Sequence, residues 1–214
     1  MVGRLCRRII RRFDAWLLRA SHVWEFTQDP ECVCRVGPGK WRRTTQLPDG
    51  TVVQRGEPIL VMHLWNEHLP PVPSTGHDVA WGLHYTRQMQ HSIRLLARYL
   101  HDAPDLVHIQ ACHGVLPIPA GKALPHWERA LRHLGFLVVR PERTPWQAFT
   151  SFWENLYTWG IIWTYNPVSL TRRQFGRMVR CHLWLTRKGL LEILEREVDL
   201  RKPSRSQPDP LPPQ

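Results

Sequence analysis

The residues in this chain best able to do chemistry are mostly histidines, and their densest run is His63-Leu-Trp-Asn66-Glu67-His68. In a strand alternate side chains share a face, so His63 goes with Val61 and Trp65, and Asn66 belongs to the other face until the chain turns. A histidine ending an apolar strand, followed by Asn, Glu and His in a loop, can line a ligand pocket or serve a hydrolase. The same pattern also suits a hydrogen-bonded core histidine and a capping asparagine. His77, His84 and His91 recur every seven residues along one helical segment. They form a stripe beside the core stripe, facing either the cavity of His63 or the solvent boundary. His108 and His113 supply further donors on a later strand.

A second constellation is electrostatic. Thr171-Arg172-Arg173-Gln174 has the form of a capping box, and Thr186-Arg187-Lys188 repeats its start. Cations in a first helical turn oppose the helix dipole, so such placements suit an anion held at the helix N-terminus, or simply solvated arginines. Asn166 and Pro167 would fix the loop that feeds this helix. The candidate ligand pocket is therefore His63, Asn66, His68, His84, Asn166, Arg172 and Arg173, with a phosphate or carboxylate as the group it would take.

Other chemistries find no support. There is no G-x-S-x-G, and Cys112 and His113 point apart in a strand. No Walker loop or dinucleotide fingerprint occurs, and the histidines and cysteines lack metal-ligand spacing, so no cofactor and no metal ligands are expected. The five cysteines are odd in number and match no disulfide framework, which favours a reducing cytoplasm.

The elements that must position these residues begin with an amphipathic helix over residues 3–24. At 100° per residue Val2, Leu5, Cys6, Ile9, Ile10, Phe13, Trp16, Leu17, Ala20 and Trp24 fall within an arc of roughly 140°. Arg4, Arg7, Arg8, Arg11 and Arg19 lie opposite, Arg12 flanks the arc and Leu18 is the misfit. Strands are expected at Glu31–Val36, Trp41–Gln46, Thr51–Gln54 and Pro58–Asn66, separated by Gly-Pro-Gly at 37–39, the turn-forming Pro-Asp-Gly at 48–50 and Gly56. A long helix over 77–102 carries Trp81, Tyr85, Met89, Ile93, Leu96 and Leu100 as its core stripe. Strand Leu106–His113, helix Leu124–Leu134 and strand Phe136–Arg140 follow, then an aromatic helix from Pro145 limited by Gly160 and Asn166-Pro167. Two more helices, near 171–183 and 187–197, complete the pattern. The fold class is α+β: a mainly antiparallel sheet with helices packed on one face and an N-terminal amphipathic helix. The domain plan is a basic helix over 1–24, one α+β domain over 25–200 and a Pro-rich disordered tail over 201–214.

Charge is local. The chain carries a formal +11. In residues 1–20 six arginines stand against Asp14, a net +5, and residues 171–205 carry a net +6, while residues 21–170 sum to only +1 and Asp209 adds −1. Concentrated positive charge implies an anionic partner. The N-terminal arginines alternate with large apolar residues, as an interfacial helix requires, which favours an anionic membrane surface over nucleic acid. The expected membrane contacts are Arg4, Arg7, Arg8, Arg11, Phe13 and Trp16. No continuous apolar segment suggests a signal peptide or a transmembrane span.

Gly56-Glu-Pro-Ile-Leu-Val-Met-His63-Leu-Trp-Asn66 before a long helix, and Asn166-Pro-Val-Ser-Leu-Thr-Arg172-Arg-Gln-Phe before the last helices, resemble the YkoP-like family of bacterial proteins over about residues 10–200. Some members are joined to, or named after, polysaccharide deacetylases, so the resemblance implies envelope glycan or glycolipid metabolism. The deacetylase pattern itself is absent: there is no pair of adjacent aspartates and no His-Ser/Thr-x-x-His motif. The expected function is that of a protein peripheral on the inner face of the membrane. It would be an accessory or ligand-binding domain, possible ligands being a phosphorylated or lipid-linked glycan. A soluble hydrolase and a nucleic-acid binder are the alternatives.

Overall fold

The computed structural model describes residues 2–76, 78–121, 124–140, 145–170 and 178–201. Helix α1 (Val2–Ala20) leads into strands β1 (Cys34–Lys40), β2 (Thr45–Gln46), β3 (Val52–Val53) and β4 (Pro58–Leu64). Helix α2 (Val79–Asp102), β5 (Ala111–Pro119), α3 (Leu124–His133), β6 (Leu137–Val139), α4 (Pro145–Tyr165), β7 (Met178–Thr186) and α5 (Arg187–Arg201) follow. Five strands form one sheet in the order β1-β4-β5-β7-β6, and β2 and β3 pair as a separate hairpin. Only β4 and β5 run parallel, so the sheet is mixed and mostly antiparallel. This is the α+β class read from the sequence, with α2, α3 and α5 packed on one face.

Strand alternation sorts the residues. Cys34, Val36, Leu60, Cys112, Ile118, Cys181, Leu183, Leu185 and Val138 share one face, where Met89, Ile93, Leu96 and Leu100 of α2, Leu131 of α3 and Leu190 of α5 complete the main core. Helix α2 starts where Asp78 accepts a hydrogen bond from the backbone N–H of Trp81, an N-cap that satisfies one orphan donor. Its stripe is the expected one, with Trp81 and Tyr85 stacked and half-buried at the N-terminal end.

Several boundaries differ from expectation. Residues 178–183, read as the end of a helix near 171–183, belong to strand β7, which lies between β5 and β6. Its residues alternate strictly, Val179, Cys181, Leu183 and Leu185 to the core and Arg180, His182 and Trp184 to the other face, so period two outweighs the basic run before it. Strand β5 starts five residues later than expected, because Pro104–Leu106 takes a short 3-10 turn. Gly-Pro-Gly at 37–39 is part of β1 and not a turn. Val36 aims its N–H and C=O away from β4 at Trp24, so Pro38, two residues on, has its missing N–H on the same open edge. Gly160 does not end α4; it faces Ile10 of α1, where even a Cβ would make only an ordinary van der Waals contact at 3.7 Å. Helix α1 ends at Ala20, and Trp24 instead makes an antiparallel bridge to Val36. The expected tail lies almost wholly outside the described residues.

Candidate functional site

The sheet face away from the main core is chemically different. His113 of β5 is the register partner of Trp184 of β7, and His182 lies one step along, opposite Val115. The two imidazoles are thus diagonal neighbours, and Nε2 of His113 and Nδ1 of His182 share a hydrogen bond of 2.8 Å. Trp41 packs over the pair, its ring centroid 4.9 Å from His113 and 4.6 Å from the buried Trp184. Burial, and then the neighbouring His182, push the His113 pKa down to about 3; burial, and then the charge of Arg43, push His182 below its ordinary value. Both rings are therefore neutral at neutral pH. They stand at the floor of an open cleft of about 530 Å³ whose walls are Ile59, Val61 and the run Gly39-Lys40-Trp41-Arg42-Arg43. The run is held in place because Trp41 donates its backbone N–H to Glu57 and accepts from Gly56, and its indole N–H donates to Thr45.

Further along the same face lies a second polar cluster, where α1 and α4 meet the sheet. Asp14 of α1 is only 5% exposed, and it accepts hydrogen bonds from the hydroxyls of Tyr157 (2.5 Å) and Tyr165 (3.4 Å) of α4. Tyr165 also reaches Glu67 at 3.3 Å, and Glu67 pairs with Arg35, which stacks over Trp65 and pairs with Glu25. Burial comes first, and then the neighbouring carboxylates, in raising both tyrosine pKa values. Arg180 of β7 ties α4 to this face through Glu154 and Thr158.

The described members of the expected pocket lie on β4, in the turn after it, on α2 and just past the end of α4. His63 does belong to the second cluster: burial lowers its pKa, and the charge of Asp14 pulls the other way. Asn66 sits in the turn after β4. His68 is a structural residue, its Nδ1 bonded to the carbonyl of Cys32 at 2.9 Å and its ring stacked on Trp65 at 3.7 Å. His84 is exposed on α2, and His91 pairs with Asp29 at 2.8 Å, which holds the Asp29 carboxyl below its usual range. Asn166 closes α4, donating its N–H to Ile162. Thr171, Arg172, Arg173 and His77 lie outside the described residues, and the anion site proposed at 171–174 with them. The parallel expectation at Thr186-Arg187 is corrected. Thr186 caps α5 by accepting from Gly189, but the Arg187 guanidinium donates to the carbonyls of Leu100, Leu106 and Ile109. It stitches the end of α2 to the segment before β5, so of the two cations in that turn only Lys188 stays exposed.

The expected membrane contacts divide. Helix α1 docks on α4 through Ile10 and Asp14, and Arg7 and Arg11 lie over the rings of Trp163 and Tyr165. That orientation leaves Leu5 (60%), Ile9 (57%), Phe13 (50%) and Trp16 (56%) exposed. Arg4, Arg8, Arg12 and Arg19 form an exposed ridge beside them. Phe13 stacks on Trp16 and meets Tyr157 edge-on, which joins this stripe to a second exposed stripe on α4: Phe149, Phe152, Trp153 and Leu156. Residues three and four apart on α4 share a face, so the two helices present one continuous aromatic surface.

His182, Trp41, Arg43 and the two tyrosines were not singled out from sequence. The available signal was the alternation of 178–186, which sends His182 to the face of His113 once the segment is read as a strand.

An amphipathic first helix and a mixed sheet, with α2, α3 and α5 on one face and the α1–α4 pair against a polar, aromatic opposite face, define an α+β protein whose described residues contain no group of three or more potential metal ligands. Residues 4–193 match the YkoP domain, and the chain belongs to that family. No curated protein and no solved structure gives a match. Among the described residues no helix is long and apolar enough to cross a membrane.

Proposed function

We propose that this chain works at an anionic membrane surface, on the cytoplasmic face, as an accessory or ligand-binding domain in envelope glycan or glycolipid metabolism. The observation that carries the reading is the exposed aromatic surface of α1 and α4 beside the arginine ridge. Four large apolar side chains on one helix, half or more exposed, mark an interaction surface. Tryptophan and phenylalanine suit the boundary between headgroups and acyl chains, and each arginine near an anionic surface adds about 1 kcal/mol. Nucleic acid would use the arginines and leave the aromatic stripe uncovered. The glycan assignment follows from the family resemblance. A ligand-binding role is preferred to hydrolysis because His68 is committed to Trp65 and Cys32 and does not join His63 in a reactive arrangement.

Co-sedimentation of the full chain with vesicles of phosphatidylglycerol and phosphatidylcholine tests this. Binding to the mixed vesicles, little to pure phosphatidylcholine, and loss of binding in the variant F13D/W16D are expected. Arg4→Ala and Arg8→Ala should each weaken binding about fivefold, the equivalent of about 1 kcal/mol. Equal binding to neutral vesicles would overturn the reading. So would a stable dimer in light scattering that F13D/W16D splits, since the surface would then belong to a second copy.

A further inference from the structure

The cleft over the His113–His182 pair is assigned to no role by the family or by the membrane-facing surface. We infer that it binds a small organic phosphate, whose anionic group meets Arg42, Arg43 and Lys40 and whose remaining body lies against Trp41. This deepens the ligand-binding half of the proposed function by giving the ligand a place.

Three observations converge. First, the cleft is positive and unpaired. Its lining includes Lys40, Arg42 and Arg43 and no carboxylate. Among the described residues none of these three cations forms an ion pair. Second, its floor is polar without being charged. Two neutral imidazoles have two N–H groups and two lone pairs between them, and their mutual bond uses one of each. One donor and one acceptor remain for the pair. When His113 donates to His182, His182 keeps its Nε2–H, which can donate to a phosphate oxygen. The Arg43 charge opposes protonation of His182, and an anion seated between them would remove that opposition. Third, the walls are apolar where the cations are not. Trp41, Ile59 and Val61 offer a flat surface for a ring or short carbon skeleton, and about 530 Å³ is the size of a small-ligand site.

The placement is also suggestive. Val61 lines the cleft and His63, on the same face of β4, belongs to the α1–α4 cluster, a separation of about 7 Å along the strand. His182 and Arg180 repeat this on β7. The cleft therefore opens beside the helix pair, where either a soluble phosphorylated molecule or a lipid headgroup could supply the phosphate.

Calorimetric titration of the full chain with glucose 1-phosphate and with dihexanoyl phosphatidic acid below its micelle concentration tests the inference. Nuclear magnetic resonance of the His182 imidazole gives the second readout. At least one probe should bind and shift that imidazole, and R42A/R43A should weaken binding about tenfold or more. R4A/R8A should leave cleft binding unchanged while reducing vesicle binding, so the two proposals fail separately. Preference for glucose 1-phosphate identifies a soluble source, and preference for the lipid identifies a headgroup. No binding of either probe at millimolar concentration, or equal binding by R42A/R43A, would overturn the inference.

Discussion

Along β5 and β7 each residue and its neighbour live in different environments. Cys112, Cys181 and Leu183 face the helices, and His113, His182 and Trp184 face the opposite way. On the helix-covered face the titratable groups are inert: burial pushes the thiols of Cys34 and Cys112 up to about 12. On the other face they are engaged, with Asp14 bonded to tyrosines, His113 to His182, and Arg35 and Arg180 to carboxylates. The first face needs only size and shape to match. The second holds polar groups out of water, which is costly unless partners or a ligand satisfy them. The difference directs a search for function to the second face, before any motif is invoked.

The comparison can be pressed hardest at the core. Leu183→Ala removes a buried side chain between Val138 and Gly114, its register partners on β6 and β5. A loss of about 2–5 kcal/mol in urea unfolding is expected, with vesicle binding of the folded fraction unchanged. A loss below 1 kcal/mol would mean that the helix-covered face is not the better-packed one.

Acid separates the two faces more finely. His113 titrates near 3 folded and near 6.5 unfolded, and burial also lowers His182. Between those values the unfolded chain binds more protons than the folded one. Stability is therefore complete above 6.5 and falls as pH drops toward 3, by up to about 1.4 kcal/mol per pH unit for His113, with His182 acting in the same direction. His113→Gln should flatten the dependence over that window in urea unfolding measured at successive pH values. An unchanged slope would show that the pair is solvated and not held neutral.

How much of this was legible depends on how local the signal was. The amphipathic α1 and the α2 core stripe are short-range patterns; α2 formed where the periodicity put it, and α1 did so except for its last turn, which ends at Ala20. The β7 strand was misread because a basic run and the absence of turn residues resembled a helix, and only its pairing with β5 and β6 exposes the alternation. The polar clusters are a sharper case. His113 and His182 lie 69 residues apart, and Asp14 and Tyr157 lie 143 apart, so no spacing rule links them. Conversely the seven-residue histidine repeat was a real periodicity without a shared site, since its described members His84 and His91 have separate surroundings. The arc of α1 was right, but not which edge of it docks. That depends on Asp14, a polar residue whose partners belong to α4.

Asp14 therefore offers the smallest and most diagnostic change. Asp14→Asn keeps the shape and one acceptor, so Tyr157 would still have a partner. The charge that strengthens that bond would be gone. Charged hydrogen bonds contribute about 1 kcal/mol more than neutral ones, so stability should fall by about that amount. The loss should be concentrated in α1, seen as faster amide exchange in that helix than in α2. The same substitution removes the negative charge that partly offsets the burial of His63, so its pKa should move further below the ordinary value. A stability loss with His63 unmoved would mean that Asp14 only fastens α1 to α4. Both effects together would show that the helix pair and the sheet face share one electrostatic site.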